Sequence, residues 1–318
     1  MTVASAAPQH RAGRARRGAA AVLICAGALL SAVLAAHRAV PGATGSLVDS
    51  ALPWLAAPIL FLLAGAIVTR HRWAIAATLT PALIWAVMFA PDLPDRAIPG
   101  PHDLRVASLN LGTAAPGTAL APIVAENPDV IVLEEVTAAD RTAVTTTLTG
   151  SYPHRAAAGT VAVYSRFPLS RTNPVDIQIG WTRALATTVT TPAGPVRVYA
   201  AHLASARADM TAKRDKTLEA LATAVHADPA PRLLLAGDLN TATTDRRFAA
   251  LAPLRDTQED AGAGFGFTWP DTLPVVRPDH LLQRGMTTRR AWVTRAPGSD
   301  HRAVLADLDT TPPTDNRS

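Results

Sequence analysis

The residues most able to do chemistry are Asp238 and Asn240, two apart in Gly237-Asp238-Leu239-Asn240, directly after the apolar run Leu233 to Ala236. A short apolar run closed by glycine reads as a buried strand ending in a sharp turn. A carboxylate and a carboxamide at a strand end suit a hydrolytic centre: one is an ionic acceptor, the other both donates and accepts. Taken alone, the same residues also read as a strand followed by an Asx turn. The event recurs, however. Asn110, Glu135 and His202 each close a predicted strand, Asp279 opens one, and Asp300-His301 directly precedes the last. Solvated loops do not favour that mix. These are groups that hold a hard cation and move protons.

The elements that must position them fill residues 103–309. Residues 104–111 alternate as a strand does, and 129–136 is a near-continuous apolar run of the kind covered on both faces. Further strands are predicted over 160–164, 184–190, 196–201, 267–269, 279–282, 291–293 and 303–308, with Pro192-Ala193-Gly194-Pro195 turning one hairpin. Helices are predicted over 118–126, closed by Asn127-Pro128, and over 206–227, with Met210, Leu218, Leu221 and Val225 on one side. Residues 310–318 read as a disordered tail.

The first hundred residues are of another kind. Apolar stretches at 18–36, 51–69 and 73–90 carry no charged side chain. Each is close to the ~20 residues a helix needs to cross ~30 Å of hydrocarbon. Pro58 and Pro81, costly in soluble helices, are tolerated in membrane ones. Three transmembrane helices over 18–90 are expected, with the lipid bilayer as their partner. The first span read instead as a cleaved signal peptide leaves the others unchanged. Uncharged spans speak against an ion path.

Arg11, Arg14, Arg16 and Arg17 precede the first span, and Arg70 and Arg72 separate the second from the third. The loop at 37–50 has only Arg38, and the third span is followed by Asp92 and Asp95. The positive-inside rule then puts the basic tail 1–17 in the cytoplasm and the rest after residue 90 outside. Residues 91–102, with Pro91, Pro94, Pro99 and Pro101, read as an extended linker.

The formal charge of +5 resides in residues 1–100, and residues 101–318 sum to zero. That balance weakens any bulk electrostatic grip on nucleic acid. Cys25 is the only cysteine, so an intrachain disulfide, a redox pair and a zinc–cysteine site are excluded.

The motifs Ser108-Leu109-Asn110, Pro128-Asp129-Val130-Ile131-Val132-Leu133-Glu134-Glu135-Val136, Val163-Tyr164-Ser165-Arg166-Phe167-Pro168, Ala201-His202-Leu203, Gly237-Asp238-Leu239-Asn240, Arg277-Pro278-Asp279-His280 and Ser299-Asp300-His301 occur in that order. In this the chain resembles the endonuclease/exonuclease/phosphatase (DNase I-like) superfamily, and in its anchor it resembles membrane-bound bacterial members. The resemblance implies a four-layer α/β sandwich of two packed mixed sheets flanked by helices, and a metal-dependent phosphoric ester hydrolase using Mg²⁺ or Mn²⁺. It implies Glu135 with Asn110 as metal ligands and Asp300 beside the metal. Asp238 would orient or deprotonate the attacking water, and Asn240 would fix the phosphate. His301, oriented by Asp279, would handle phosphate and proton, and His202 would meet the phosphate or the leaving group.

Arg183 reads first as a surface arginine, with phosphate binding the alternative, and His280 reads as structural. Two departures stand out: Glu134 occupies the family's usual glutamine position and reads as a solvated extra acid, and Gly112 stands where some members carry Asp. A lipid head group is the favoured substrate, with an extracytoplasmic nuclease and an inactive membrane-anchored binding module as alternatives. No protein partner is inferred.

Overall fold

The computed structural model describes residues 7–206 and 211–310. Met210 and the predicted tail beyond Thr310 lie outside them. The chain divides into two compact units, Met1–Pro91 and Asp92–Ser318.

The first unit is helical: α1 (Ala7–Ala36), α2 (Gly42–Ala51), α3 (Ala56–Thr69) and α4 (Arg72–Phe89). It contains three runs long and apolar enough to cross a membrane, Arg14–Ala39, Gly42–Thr69 and Arg72–Asp92. Apolar side chains such as Phe61, Val68 and Val87 point outward, about four fifths exposed. So large an exposed apolar surface is that of a candidate membrane span. α1 and α4 approach through small residues: a Cβ on Gly27 would stand 2.4 Å from the Ala77 carbonyl oxygen.

The expected loop at 37–50 is instead helical from Gly42, so the second run starts earlier and includes Asp49. Asp49 is fully buried, with Oδ1 2.6 Å from His37 Nδ1. A carboxylate at that depth needs such a partner, because desolvation unpaired costs several kcal/mol, roughly.

The second unit is two six-stranded sheets. The first has the order β11-β12-β1-β2-β4-β3, built from β1 (Leu104–Asn110), β2 (Val130–Glu134), β3 (His154–Ala158), β4 (Val161–Ser165), β11 (Thr287–Thr294) and β12 (Ala303–Asp309). The other has the order β5-β6-β7-β8-β10-β9, from β5 (Leu169–Pro174), β6 (Ala184–Thr191), β7 (Gly194–His202), β8 (Leu233–Asp238), β9 (Arg255–Asp256) and β10 (Asp279–Arg284). Each sheet has one parallel pair, β1–β2 and β7–β8. Parallel neighbours need a crossover, which α5 (Pro116–Ala125) and α7 (Thr211–Ala227) supply. Helices α6 (Asp140–Leu148) and α8 (Thr257–Ala261) complete the unit. The four-layer expectation is met.

Strand alternation decides what lies where. Leu104 and Val106 on β1, Val130 and Val132 on β2, Val196, Val198 and Ala200 on β7, Leu234 and Ala236 on β8, and Leu281 on β10 fill one core between the sheets. The alternate residues Leu109, Ile131 and Leu133 pack outward with α5 and α6, and Tyr199, Leu235 and Leu282 pack with α7. Each large apolar side chain buried this way contributes about 1.5–3 kcal/mol. With a period of two, the inter-sheet rows continue to Ser108 and Asn110, Glu134, His202, Asp238 and Asp279.

Three local expectations change. Residues 267–269 form only one bridge, Trp269 to Val276, and no strand. β3, β5 and α6 carry no alternation or apolar stripe strong enough to be read beforehand. The linker is docked rather than free, since Arg96 N–H donates to Gly262 O and Ile98 N–H to Arg289 O, at 3.3 and 2.7 Å.

Candidate active site

Strand direction gathers the site. β1, β2, β7 and β8 finish at one end of the sandwich, and β10, antiparallel to β8, starts there, so Asp279 pairs with Asp238 and His202 with Asp238 in register. Asn110 pairs with Glu134, and Glu135 follows in a left-handed turn with φ of 56°. The segment before β12 is stitched to β1: Ser299 Oγ donates to Asn110 O at 2.7 Å and accepts from His301 N–H at 3.0 Å.

The result is one connected cluster. Asn110 Nδ2 donates to Asp238 Oδ2 at 3.0 Å and to Glu135 Oε1 at 3.4 Å. His202 Nε2 lies 3.6 Å from Glu135 Oε1 and 3.5 Å from Asp238 Oδ2. His301 Nδ1 is 2.9 Å from Asp279 Oδ2, and its Nε2 faces Asp238 Oδ2 at 3.9 Å. Thr268 Oγ1 donates to Asp279 at 2.5 Å, fixing the carboxylate that fixes the histidine. Asn240, at φ of 47°, donates its backbone N–H to Asp238 Oδ1 at 2.9 Å and its Nδ2 to Leu203 O at 3.2 Å.

The two histidines are driven apart. Burial lowers His202 from 6.5 to about 4, with Arg183 and His301 adding to the shift and Asp238 opposing it. Burial also opposes charge on His301, but Asp279, by charge and hydrogen bond, with Asp238 and Asp300 behind it, outweighs burial and raises His301 to about 10. A neutral and a cationic imidazole thus share one site, the pattern that separates proton-handling roles.

Two expectations about neighbours are corrected. Glu134 is not solvated. It is fully buried because it continues the Val130, Val132 row into the core, where Ser108 Oγ donates to Oε1 at 2.9 Å and Oε2 has no partner. Burial, with Asp279 and Asp238 nearby, raises its pKa well above the ordinary range. Held protonated, it has the shape and neutrality of the glutamine it replaces. Arg183 is not a surface arginine either. It is half-buried, set against both ring nitrogens of His202, with its guanidinium 5.0 Å from the Trp181 ring centre.

Gly112 also has a reason. It sits at φ of 55°, a conformation that favours glycine, and a Cβ there would meet Asp300 Oδ1 at 2.8 Å and push that side chain aside. Asp300 itself is exposed and accepts from Trp269 Nε1 at 3.1 Å.

The donor set fits a hard divalent cation. Carboxylates of Asp238 and Asp279 lie close together, and Glu135, its side chain 43% exposed, joins them through Asn110 Nδ2. Asp238, Asp279 and His301 each offer a ligand atom within 4.8 Å of the others. Of the expected Glu135, Asn110 and Asp300, Asn110 Oδ1 accepts the Gly112 N–H at 3.0 Å and keeps a second lone pair.

Behind the site, His280 bridges Asp256 Oδ2 at 3.0 Å and Thr241 O at 2.8 Å. It lies on the outward row of β10, opposite in direction to Asp279, and is structural as expected. Asp256 also holds Arg277 Nη1 at 2.7 Å and accepts from Gln258 N–H at the start of α8. Burial opposes the charge on Asp256, but Arg277 and His280 outweigh it and hold the group well below its ordinary 3.8. Asp256→Ala is therefore expected to cost about 3–5 kcal/mol, as breaking a buried ion pair does. A depressed carboxylate stabilises above its unfolded pKa and loses that contribution as pH falls. The gap in denaturant midpoint between wild type and variant should hold near neutral pH and shrink below about pH 4. A gap independent of pH would count against the charge.

Sequence reasoning missed Arg214, Thr268 and Trp269, and it gave Ser299 no role of its own within Ser299-Asp300-His301. The first three carry no pattern that distinguishes them from solvated or core residues before the loops are folded.

No curated protein matches the chain. Three solved structures share its fold. Truncated Caenorhabditis elegans TDP2 has 20% identity and a TM-score of 0.55, covering 65% of this chain and 97% of its own. D. rerio TDP2 complexed with single-strand DNA product has 19% identity and a TM-score of 0.55, covering 65% and 99%. An endonuclease/exonuclease/phosphatase family protein from Leptotrichia buccalis has 14% identity and a TM-score of 0.53, covering 65% and 99%. The family's sequence profile matches residues 107–301, which run from β1 to the histidine paired with Asp279. The chain belongs to the endonuclease/exonuclease/phosphatase family.

Proposed function

We propose that this chain is a metal-dependent phosphodiester hydrolase, anchored by three membrane-spanning helices with its 103–309 domain on the extracytoplasmic side. The observation that carries the chemistry is the convergence of Asn110, Glu135, His202, Asp238, Asp279 and His301 at one end of the sandwich, linked by the distances above. Water attacks phosphorus and one P–O ester bond breaks; Asp238 orients the water and accepts its proton, and the leaving oxygen takes a proton from solvent. Charged His301, aimed by Asp279, meets a phosphoryl oxygen, and Asn240 and Arg183 hold the phosphate. His202 meets the phosphate beside the leaving group. Glu135, with Asp238 and Asp279 close by, would hold Mg²⁺ or Mn²⁺, and a bound metal supplies charge neutralisation on the phosphoryl oxygens. Asp300 sits beside it.

A lipid head group is the first substrate reading, because the anchor keeps the domain at a bilayer and the domain's net charge is zero. A nuclease is the second. Trp181, 54% exposed, and Trp269, 41% exposed, adjoin the cluster through Arg183 and Asp300, and base stacking on such rings contributes about 1–3 kcal/mol per base. The single-strand DNA product held by D. rerio TDP2 supports the same reading.

The test uses the full chain in detergent against a choline phospholipid, single-stranded DNA and bis(4-nitrophenyl) phosphate. Turnover that EDTA abolishes and Mg²⁺ or Mn²⁺ restores is the expected result, and the preferred natural substrate ranks the two readings. No turnover on any of the three would sink the proposal. Protease added to intact cells should remove the 103–309 domain; full protection would reverse the orientation.

A further inference from the structure

The largest fully buried side chain among the described residues is Arg214, 1% exposed, in the first turn of α7. Burying a guanidinium is costly unless every face of it is used. Here Nε donates to Asp215 Oδ1 at 2.8 Å and Nη2 to Asp245 Oδ2 at 2.7 Å. Nη1 reaches forward, donating to Asn240 O at 3.1 Å and to Thr241 Oγ1 at 3.0 Å. His280, on the outward row of β10, holds the next carbonyl, that of Thr241, at 2.8 Å. The peptide after β8 is thus held at two successive carbonyls.

The gripped residue is in an unusual state. Asn240 has φ of 47°, a left-handed conformation that few non-glycine residues adopt and that persists where the surroundings over-determine it. That conformation aims its N–H at Asp238 Oδ1 and its carboxamide at Leu203 O, just after His202. α7 reaches the same loop again: Thr217 Oγ1 donates to Arg214 O at 2.8 Å and accepts from Ala204 N–H at 3.3 Å. One helix end therefore fastens the loops that follow both β7 and β8.

We infer that Arg214 is a positioning residue for hydrolysis: its fork, together with His280 on the next carbonyl, holds Asn240 left-handed and so sets the aim of Asp238 and Asn240 at the phosphate. The inference rests on the phosphoester reading of the site and goes further, to a residue in no site motif. Lysine at 214 keeps the charge, but its three N–H donors radiate from one nitrogen and cannot span Asn240, Thr241 and Asp245 as the fork does.

The full chain in detergent is assayed as wild type, Arg214→Lys, Arg214→Gln, Asn240→Ala and the double variant Arg214→Lys with Asn240→Ala. Arg214→Lys is expected to lower kcat on bis(4-nitrophenyl) phosphate by about 10–100-fold with KM within about threefold, the scale of a small misplacement. In the Asn240→Ala background the same change should cost under about threefold, because the aim is already lost. Deuterium uptake by the peptide spanning 238–241 should rise in Arg214→Lys while the rest of β8 stays protected. Arg214→Gln should behave at least as badly. Equal fold losses in both backgrounds, or unchanged uptake at 238–241, would overturn the inference. An inactive wild type whose 238–241 uptake still rises in Arg214→Lys would sink the phosphoester reading and leave the clamp standing. If Arg214→Lys melts below the assay temperature, uptake measured at lower temperature decides.

Discussion

Asp238→Asn is expected to reduce kcat for phosphodiester hydrolysis by about 10²–10⁴-fold, the range that positioned acid–base groups supply. The substitution keeps shape, so the loss reports charge and hydrogen-bond direction and not volume. Asp238 is 2% exposed and is the one residue on which both halves of the site meet. It accepts from Asn110 Nδ2 at 3.0 Å and Asn240 N–H at 2.9 Å, and it faces the imidazoles of His202 and His301. An amide with its oxygen kept on the Asn240 N–H must turn its own N–H₂ toward Asn110 Nδ2, donor against donor. Removing the charge also takes away the only acceptor for a proton from water at that point. The check is steady-state kinetics beside an unchanged circular dichroism spectrum. A folded Asp238→Asn protein keeping more than about a tenth of wild-type kcat would remove Asp238 from the proposed role.

His301→Gln should have the next largest effect, about 10²–10³-fold in kcat. Glutamine can replace one hydrogen bond to Asp279 but carries no charge to the phosphoryl oxygens. The accompanying pH profile makes the point sharper. His301 keeps its proton up to about pH 10, because Asp279, Asp238 and Asp300 outweigh the burial that opposes its charge. Wild-type activity should therefore hold across neutral pH and fall only as pH rises through that value. Asp279→Asn removes the main partner and should move the alkaline limb down by several units.

The stability sign runs the same way. A raised histidine pKa stabilises the fold fully below 6.5 and loses that contribution as pH climbs toward about 10. The melting-temperature advantage of wild type over Asp279→Asn should accordingly narrow in alkali. An alkaline limb that does not move in Asp279→Asn would show that some other group limits the rate.

Much of this was legible in one chain. The apolar runs at 130–133 and 233–236 mark two strands, and Glu135 and Asp238 stand out as polar residues at their ends. That is enough to place them at strand ends, although Glu134, read as solvated, continues the buried row of Val130 and Val132. The apolar runs of the first hundred residues were likewise evident from composition, although the start of the second was misjudged by nine residues because Asp49 was counted as a loop charge. Its partner His37 lies twelve positions earlier and is brought to it only by the turn between α1 and α2.

The sequence by itself determined which polar residues end or open strands, because strand ends are a local property. It also determined that Gly237 turns the chain; in the structure Gly237 has φ of 142°, and a Cβ there would stand 1.9 Å from the Ala201 carbonyl oxygen. Only the tertiary structure decided that Glu134 is a buried neutral acid, that Arg183 lies against His202, and that Arg214 grips the turn after Asp238. Each of those depends on groups far apart in the chain, and long-range contact sets burial and hydrogen-bond partners where no local pattern can. At Gly237-Asp238-Leu239-Asn240 both kinds of information meet. The strand and turn are written in four residues, and the reactivity of Asp238 is written by Asn110, His202 and His301, brought to it by the two sheets.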